Sequence, residues 1–295
     1  MNKSYLFSTA LFTAIFLFYG CSDKNENNSN EIANQINITV GIPTTRTSMG
    51  DKIDGEYPIY WSEDDKLVAN GVVSSAATIG SDKTSATFTF IGETLTAPYN
   101  ITYPYTEESL CTDNRPTVVF PREQQYTEGS FGTGYAPMCG YFEGNGELVT
   151  LKHLAGVLLF PIKGSTTLTK IEIIADEGMA LAGEFDVDCQ AGSISVIEGK
   201  TTNTITYIAN QPLSIETNSL FYITIPTGNY GMCKVIITDN NGLQMSLKWD
   251  ATNIKPGVVR EFSEIEFKPG VSFTLEGMSS ESDELLLEDS SITYD

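Results

Sequence analysis

The sequence predicts an all-β protein built from β-sandwich domains. Short runs in which apolar or β-branched residues alternate with polar ones recur along most of the 295 residues. Alternation with a period of two is typical of half-buried strands. Turn signals such as Asn241-Gly242 separate these runs. No window of helical length carries apolar residues at the i, i+3, i+4, i+7 spacing of an amphipathic helix.

The first predicted strand shows this alternation most clearly. Its apolar positions are Ile36, Ile38, Val40 and Ile42. It ends at Pro43, because proline cannot donate to a strand ladder. The further predicted strands are 57–61, 86–91, 99–103, 117–120, 157–162, 170–175, 182–187, 193–197, 204–208, 220–225, 234–238, 243–249 and 258–267.

Length and composition favour two domains. A chain of 295 residues reaches the size at which a single hydrophobic core stops growing. The hydrophobic fraction of 41% is enough to fill two cores. A glycine-rich stretch over 129–146 gives way to an apolar run at Leu151, which places the predicted boundary near residue 150. We therefore expect one β-sandwich domain over 36–150, a second over 151–270, and an acidic tail over 271–295.

The N-terminus has the features of an export signal. Lys3 precedes an uncharged apolar run over 5–19, which is too short for a membrane span of about 20 residues. Gly20-Cys21 then resembles the end of a bacterial lipobox, where a diacylglyceride is added to the cysteine. This predicts a signal peptide over 1–20, cleavage between Gly20 and Cys21, a lipid on Cys21 and a flexible tether over 21–35. The alternative is a plain signal peptide that leaves an ordinary thiol at position 21.

The chain is strongly acidic, with a formal net charge of −21 at pH 7. Such a charge excludes nucleic acid as a partner and disfavours direct docking on an anionic membrane surface. Attachment to the outer membrane is therefore expected to depend on the lipid.

Four cysteines follow Cys21, and an exported protein can oxidise such residues. They are Cys111, Cys139, Cys189 and Cys233. Three pairings are open to them. Cys233 shares a predicted strand face with Val235 and Ile237, however, which favours a buried core thiol. Both the paired and the unpaired state remain open at this point.

The sequence predicts neither an enzymatic site nor a cofactor or metal site. His153 is the single histidine, and its neighbours Leu151 and Leu154 favour a core or interface residue over a general base or zinc ligand. The run 186–192 departs from a calcium loop and is interpreted as a hairpin turn. The acids at 63–65 could be paired glycosidase carboxylates, but a solvated turn is the simpler interpretation.

Several segments between residues 40 and 268, taken in order, resemble the fimbrillin family of two-domain type V pilins and related lipoproteins. The matching stretches are Thr45-Arg46-Thr47-Ser48, the run 57–66, Ala97-Pro98-Tyr99, Tyr103-Pro104, Tyr135-Ala136-Pro137-Met138, the run 151–160, Leu181-Ala182-Gly183-Glu184-Phe185, Ile223-Thr224-Ile225-Pro226 and the closing run 257–267. The resemblance implies two transthyretin-like (Greek-key) β-sandwich domains in tandem and a role in surface fimbriae.

In that family a trypsin-like surface protease cuts the exported lipoprotein after an arginine near the N-terminus. The resemblance places this cleavage between Arg46 and Thr47. The strand that cleavage would release carries Ile36, Ile38, Val40 and Ile42. Four inward side chains at about 1.5–3 kcal/mol each make refilling the vacated groove favourable by about 6–12 kcal/mol. The other interpretation of Arg46 is an exposed loop residue in a protein that stays lipidated.

The acidic tail contains two candidates for a donor strand, the segment that a polymerising subunit inserts into its neighbour. One is the alternating run with Val271, Phe273 and Leu275. The other is the run 285–287 together with Ile292 and Tyr294. A disordered acidic appendage is the remaining interpretation, since charge runs of this kind are commonly disordered.

The sequence therefore predicts a structural or accessory subunit of adhesive fimbriae, lipid-anchored in the outer membrane and displayed on the cell surface. Its expected partners are other fimbrial subunits, the outer membrane through the lipid, and a trypsin-like processing protease. The alternative is a non-polymerising surface glycan-binding lipoprotein that would present aromatic side chains such as Trp61 or Tyr135.

Overall fold

The structure, a computed structural model, confirms the all-β class. It describes residues 35–41, 60–81, 85–91, 95–109, 115–144, 149–249 and 252–275, with the side chains of 272–275 excepted. Within these ranges there is one 3₁₀ helix, Glu107–Ser109, and no α-helix. Among the described residues, no helix is long and apolar enough to cross a membrane. All described residues belong to one compact unit, Ala33–Asp295.

The strands are numbered in chain order. They are β1 (Gln35–Gly41), β2 (Val68–Ala69), β3 (Val72–Val73), β4 (Thr78–Ile79), β5 (Ser85–Ile91), β6 (Tyr99–Tyr103), β7 (Thr117–Phe120), β8 (Glu123–Gln125), β9 (Met138–Phe142), β10 (Val149–Thr150), β11 (Lys152–His153), β12 (Ala155–Lys163), β13 (Thr167–Ala175), β14 (Ala182–Asp188), β15 (Ser193–Thr202), β16 (Thr204–Pro212), β17 (Ser219–Pro226), β18 (Gly228–Tyr230), β19 (Cys233–Asp239), β20 (Gln244–Trp249), β21 (Thr252–Ile254), β22 (Val259–Glu261), β23 (Ile265–Glu266) and β24 (Ser272–Leu275).

Two sheets enclose the first of three hydrophobic cores. One has the order β10-β1-β5-β4 and the other the order β11-β9-β6-β2-β3. We call the cluster between them the first core; its buried members are Ile38, Val40, Trp61, Leu67, Ala69, Ala77, Ala86, Phe88, Phe90, Leu95, Tyr99, Ile101, Tyr103, Met138, Val149 and Leu151. The alternation of each strand supplies one inward face to this layer.

A second pair of sheets encloses the second core. A six-stranded sheet of order β24-β20-β19-β13-β16-β8 faces a sheet of order β17-β12-β22, in which β23 also pairs with β12. The second core includes Phe160 from β12, Ile171 from β13 and Trp249 from β20, all fully buried. This sandwich is the larger of the two.

A third cluster, which we call the seam core, lies on the other face of β12. It joins Val157 and Leu159 of β12 to residues from the sheet of order β15-β14-β7 and from β9. Its buried members are Val118, Phe120, Phe131, Ala136, Cys139, Leu154, Ala155, Val157, Leu159, Phe185, Val187, Cys189 and Tyr222.

Strands from both sides of the predicted boundary at residue 150 share sheets. β7 pairs antiparallel with β14, and β8 pairs parallel with β16. In the other direction, β11 pairs with β9. A cut at residue 150 would therefore divide three sheets rather than fall between them.

The Gln124 side chain bonds to the backbone of Thr224 on the outer edge of β17. The Gln124 amide donates to the carbonyl oxygen of Thr224 at 2.7 Å and accepts from the Thr224 N–H at 3.0 Å. Both residues are fully buried, and β17 is the outer strand of its sheet. The amide thus makes the two hydrogen bonds that a neighbouring strand would make. The backbone groups of Thr224 are therefore unavailable for pairing with another chain.

We predict that Gln124→Leu lowers the free energy of unfolding by about 2–4 kcal/mol, because it leaves two buried backbone groups of Thr224 without partners. The matched control is Gln125→Leu, whose exposed side chain bonds to the exposed Glu123, and we expect a change within about 0.5 kcal/mol. Urea unfolding monitored by tryptophan fluorescence measures both. Equal midpoints for the two variants would contradict the role given to Gln124.

Candidate functional site

The first strand lies inside its sheet, with a neighbour on each side. β1 forms seven antiparallel residue pairs with β5, from Gln35–Ile91 to Gly41–Ser85. On its other side, Val40 and Gly41 pair in parallel with β10. A strand with two neighbours is an integral member of the sheet rather than an appended edge.

The inward side chains of β1 are deeply buried. Ile38 is 2% exposed and Val40 is fully buried, both in the first core, while Ile36 is half-buried against it. The strand predicted from these alternating residues is therefore confirmed over 35–41, although Ile42 lies outside the described residues. At about 1.5–3 kcal/mol for each fully buried side chain, Ile38 and Val40 contribute about 3–6 kcal/mol.

The outward face of β1 adds polar contacts to the same neighbour. The Thr39 and Thr87 hydroxyls lie 3.0 Å apart. The Thr89 hydroxyl donates to the Asn37 side-chain oxygen at 2.9 Å. These exposed cross-strand contacts contribute less than burial does, so the hold on β1 comes mainly from its ladder and from Ile38 and Val40.

Removing β1 would leave a groove with apolar walls. Phe88 and Phe90 of β5, both fully buried, face the first core on one side. Val149 of β10 lies on the other side. The ladder groups of β5 and β10 would lose their partners, and unpaired edges of this kind readily accept another strand. The arrangement can therefore bind an extended segment with alternating apolar residues.

The candidate donor residues at the C-terminal end lie on an edge strand. Residues Ser272–Leu275 form β24, which pairs in parallel with Ser246–Trp249 of β20 at the outer edge of the six-stranded sheet. Val271 precedes β24 and is half-buried. Phe273 and Leu275 are described by their backbone only, and the second donor candidate beyond 275 lies outside the described residues.

The predicted processing and lipidation residues also lie outside the described residues. These are Gly20, Cys21, Arg46 and Thr47. Arg46 falls between the end of β1 at Gly41 and the next described residue, Tyr60.

The residues considered for chemistry have structural contacts. His153 is 6% exposed and pairs with Met138 across β11 and β9. Among the described residues there is no group of three or more His, Cys, Asp or Glu that could hold a metal ion. The run 186–192 is the predicted hairpin turn, in which the Asp188 carboxylate accepts from the Ala191 N–H at 2.8 Å.

The acids at 63–65 are not all solvated, which corrects one expectation. Glu63 and Asp64 are exposed, but Asp65 is 4% exposed. Its carboxylate accepts from the Tyr103 hydroxyl at 2.8 Å and from the Ser62 N–H at 2.7 Å. These two hydrogen bonds compensate for the burial of the charge. Asp65 therefore fixes the turn onto β6.

The two aromatic residues considered for glycan binding differ in accessibility. Trp61 is 3% exposed and packs edge-on against Phe88 and Tyr103, with ring centroids 5.1 and 5.5 Å apart. It is a core residue. Tyr135 is half-buried and borders an open cavity of about 460 Å³ whose wall also includes Asp64 and Tyr105.

We predict that Ile38→Ala lowers the free energy of unfolding by about 2–5 kcal/mol, because it removes a buried side chain of β1 from the first core. Thr39→Ala is the neighbouring control on the exposed face, and we expect a loss below about 1 kcal/mol. Thermal unfolding of both variants distinguishes these effects. An Ile38→Ala protein as stable as Thr39→Ala would show that β1 is only loosely attached.

Comparisons with known proteins add no relative. No family model, no curated protein and no solved structure matches the chain. The geometry of β1 and β24 is therefore the basis for any functional proposal.

Proposed function

We propose that the chain is a structural or accessory subunit of a cell-surface fimbrium, exported as a lipoprotein and assembled by donor-strand exchange. One observation carries the proposal. β1 is the first described strand, yet it lies inside a sheet and fills part of the first core. A strand with this position can be lost and replaced by an equivalent strand of another subunit.

The position of Arg46 supports an exchange that begins with proteolysis. Cleavage after Arg46 would separate β1 from the rest of the fold, leaving β1 held only by noncovalent contacts. A lipid on Cys21 would lie on the same side of the cut as β1. The anchor and the strand would therefore leave the subunit together, and outer-membrane attachment would end as the groove opens.

The lengths of the two hydrogen-bonded ladders favour movement of the donor strand from β20 into the groove of another subunit. β24 forms four residue pairs with β20, whereas β5 alone offers seven pairs to whatever strand occupies the place of β1. Val271, Phe273 and Leu275 alternate as Ile36, Ile38 and Val40 do. A donor that leaves β20 for the groove of another subunit would exchange a short ladder for a longer one and bury apolar side chains as well.

Glycan binding by a non-polymerising lipoprotein remains the second candidate. The cavity beside Tyr135 supports it, because an aromatic side chain next to polar groups is a common sugar contact and pockets of 300–1,000 Å³ suit small ligands. Trp61 gives it no support, since that side chain is buried.

We predict that a trypsin-like protease acting on whole cells converts the protein into SDS-resistant ladders whose repeating unit begins at Thr47. Arg46→Gln should abolish the ladders and leave the lipidated chain intact. The control Arg115→Gln changes an exposed arginine that pairs with Asp186 at 3.2 Å, and should leave the ladders unchanged. N-terminal sequencing of the ladder bands identifies the cut. An intact monomer throughout, with no ladder, would exclude polymerisation.

Truncation locates the donor strand. We predict that removing 271–295 abolishes the ladders, whereas removing only 276–295 retains them, because the second truncation keeps Val271 and β24. Gel electrophoresis after protease treatment measures both, and urea unfolding checks that each truncated chain folds. Ladders from the chain that ends at residue 270 would eliminate the donor role of the tail.

A further inference from the structure

Two cysteines that are distant in sequence meet in the seam core. Cys139 lies on β9, and Cys189 directly follows β14. Cys139 is fully buried and Cys189 is 2% exposed. Both are free thiols.

The strand register places the two cysteines beside each other. Across the β6–β9 ladder, Thr102 pairs with Cys139 and Ile101 pairs with Gly140. The Cys189 Sγ lies 3.6 Å from the carbonyl oxygen of Ile101. It therefore lies over the same strand pair that carries Cys139, and both cysteines belong to the seam core.

Lys152 fixes the same alignment independently. It is the pairing partner of Cys139 across β11 and β9. Its ammonium donates to the carbonyl oxygens of Gln190 at 2.8 Å and Ala191 at 3.4 Å, directly after Cys189. Gly192 allows this approach, because a Cβ there would lie 2.5 Å from the Lys152 Cδ. The turn after Cys189 is thus tied to the backbone beside Cys139.

We propose that Cys139 and Cys189 form a disulfide that links β9 to the β14–β15 hairpin when the chain meets a thiol oxidoreductase in its disulfide form. The Cys139 thiolate attacks one oxidant sulfur, which breaks the oxidant disulfide and releases one of its thiolates. The Cys189 sulfur then attacks the Cys139 sulfur and displaces the oxidant sulfur that is bonded to it. The oxidant gains two electrons and the two thiol protons, and one S–S bond forms in the protein.

The surroundings favour Cys139 as the first nucleophile. A hydrogen bond from Cys189 lowers the pKa of Cys139, and the nearby Lys152 charge acts in the same direction, although burial and the Asp188 charge oppose both. The same hydrogen bond, followed by burial, raises the pKa of Cys189. The thiolate is the reactive form of cysteine. Because both residues are buried, oxidation takes place before the seam core closes or when it opens locally.

Cys233 provides an internal contrast. It is fully buried in the second core, and its thiol contacts the Gly231 carbonyl oxygen at 3.9 Å. Burial, followed by the charge of Asp176, raises its pKa to about 12. A thiol of this kind is inert. The prediction from its strand face, a core thiol, is confirmed.

The test refolds the full chain with oxidised glutathione as the probe, then alkylates free thiols and maps the peptides by mass spectrometry. The expected result is one cross-linked peptide pair joining positions 139 and 189, with Cys233 alkylated. Cys189→Ala should lose this cross-link and Cys233→Ala should keep it. Separate alkylation of cysteines 139 and 189, or a link from either one to another cysteine, would overturn the proposal.

The unmodified sequence gives a second measurement that requires no substitution. Closing the loop between 139 and 189 restricts the unfolded chain, so the oxidised form should unfold about 5–10 °C above the reduced form. Adding a reductant before unfolding should reverse the shift. Identical midpoints for the two forms would overturn the stabilising role of the link.

Discussion

The burial of β12 on both faces is the constraint on which the rest of the structure depends. Leu158 and Phe160 face the second core, whereas Val157 and Leu159 face the seam core. Strands covered on both sides are continuous apolar runs instead of alternating ones, and the sequence of β12 is such a run. Because β12 contributes to two cores, a change in volume on either face alters the backbone that supports the other.

The chain segment before residue 137 connects the two sandwiches. β7 extends the sheet that covers the seam core, and β8 extends the six-stranded sheet. Between them and β9, Phe131 packs into the seam core and the Thr224 hydroxyl donates to the Tyr135 carbonyl oxygen at 2.6 Å. Through these contacts, strands and side chains from the first half of the chain become part of the fold of the second half. The two sandwiches are therefore joined by shared sheets and packing.

Alternation predicted the strands whose two faces differ. The run 117–120 is a strand with the predicted bounds and one buried face. The run 99–103 is also a strand with the predicted bounds, although Thr102 on its polar face is buried as well. Alternation failed where pairing depends on distant neighbours. The short β10 and β11 carry too few residues to show a period. Tyr60 and Trp61, predicted to end a strand over 57–61, lie outside any strand, since Trp61 packs into the first core from a loop.

The candidate site was predictable to a similar degree. Alternation identified β1 from Ile38 and Val40, but it could not show that β1 has neighbours on both sides, because that is a property of sheet order. Burial of Asp65 depends on Tyr103, which is far along the chain, so local sequence indicated a solvated turn. The contact between Cys139 and Cys189 likewise depends on long-range register, which composition and spacing do not reveal.

The two neighbours of β1 differ greatly in length, so β1 is paired along its whole length on one side and at one end only on the other. β5 presents a template of seven residues, whereas β10 presents two before Leu151 takes the chain across to the opposite sheet. A strand that takes the place of β1 would set its register by pairing with β5, one residue pair after another. It would contact β10 only at the end where Val40 now lies.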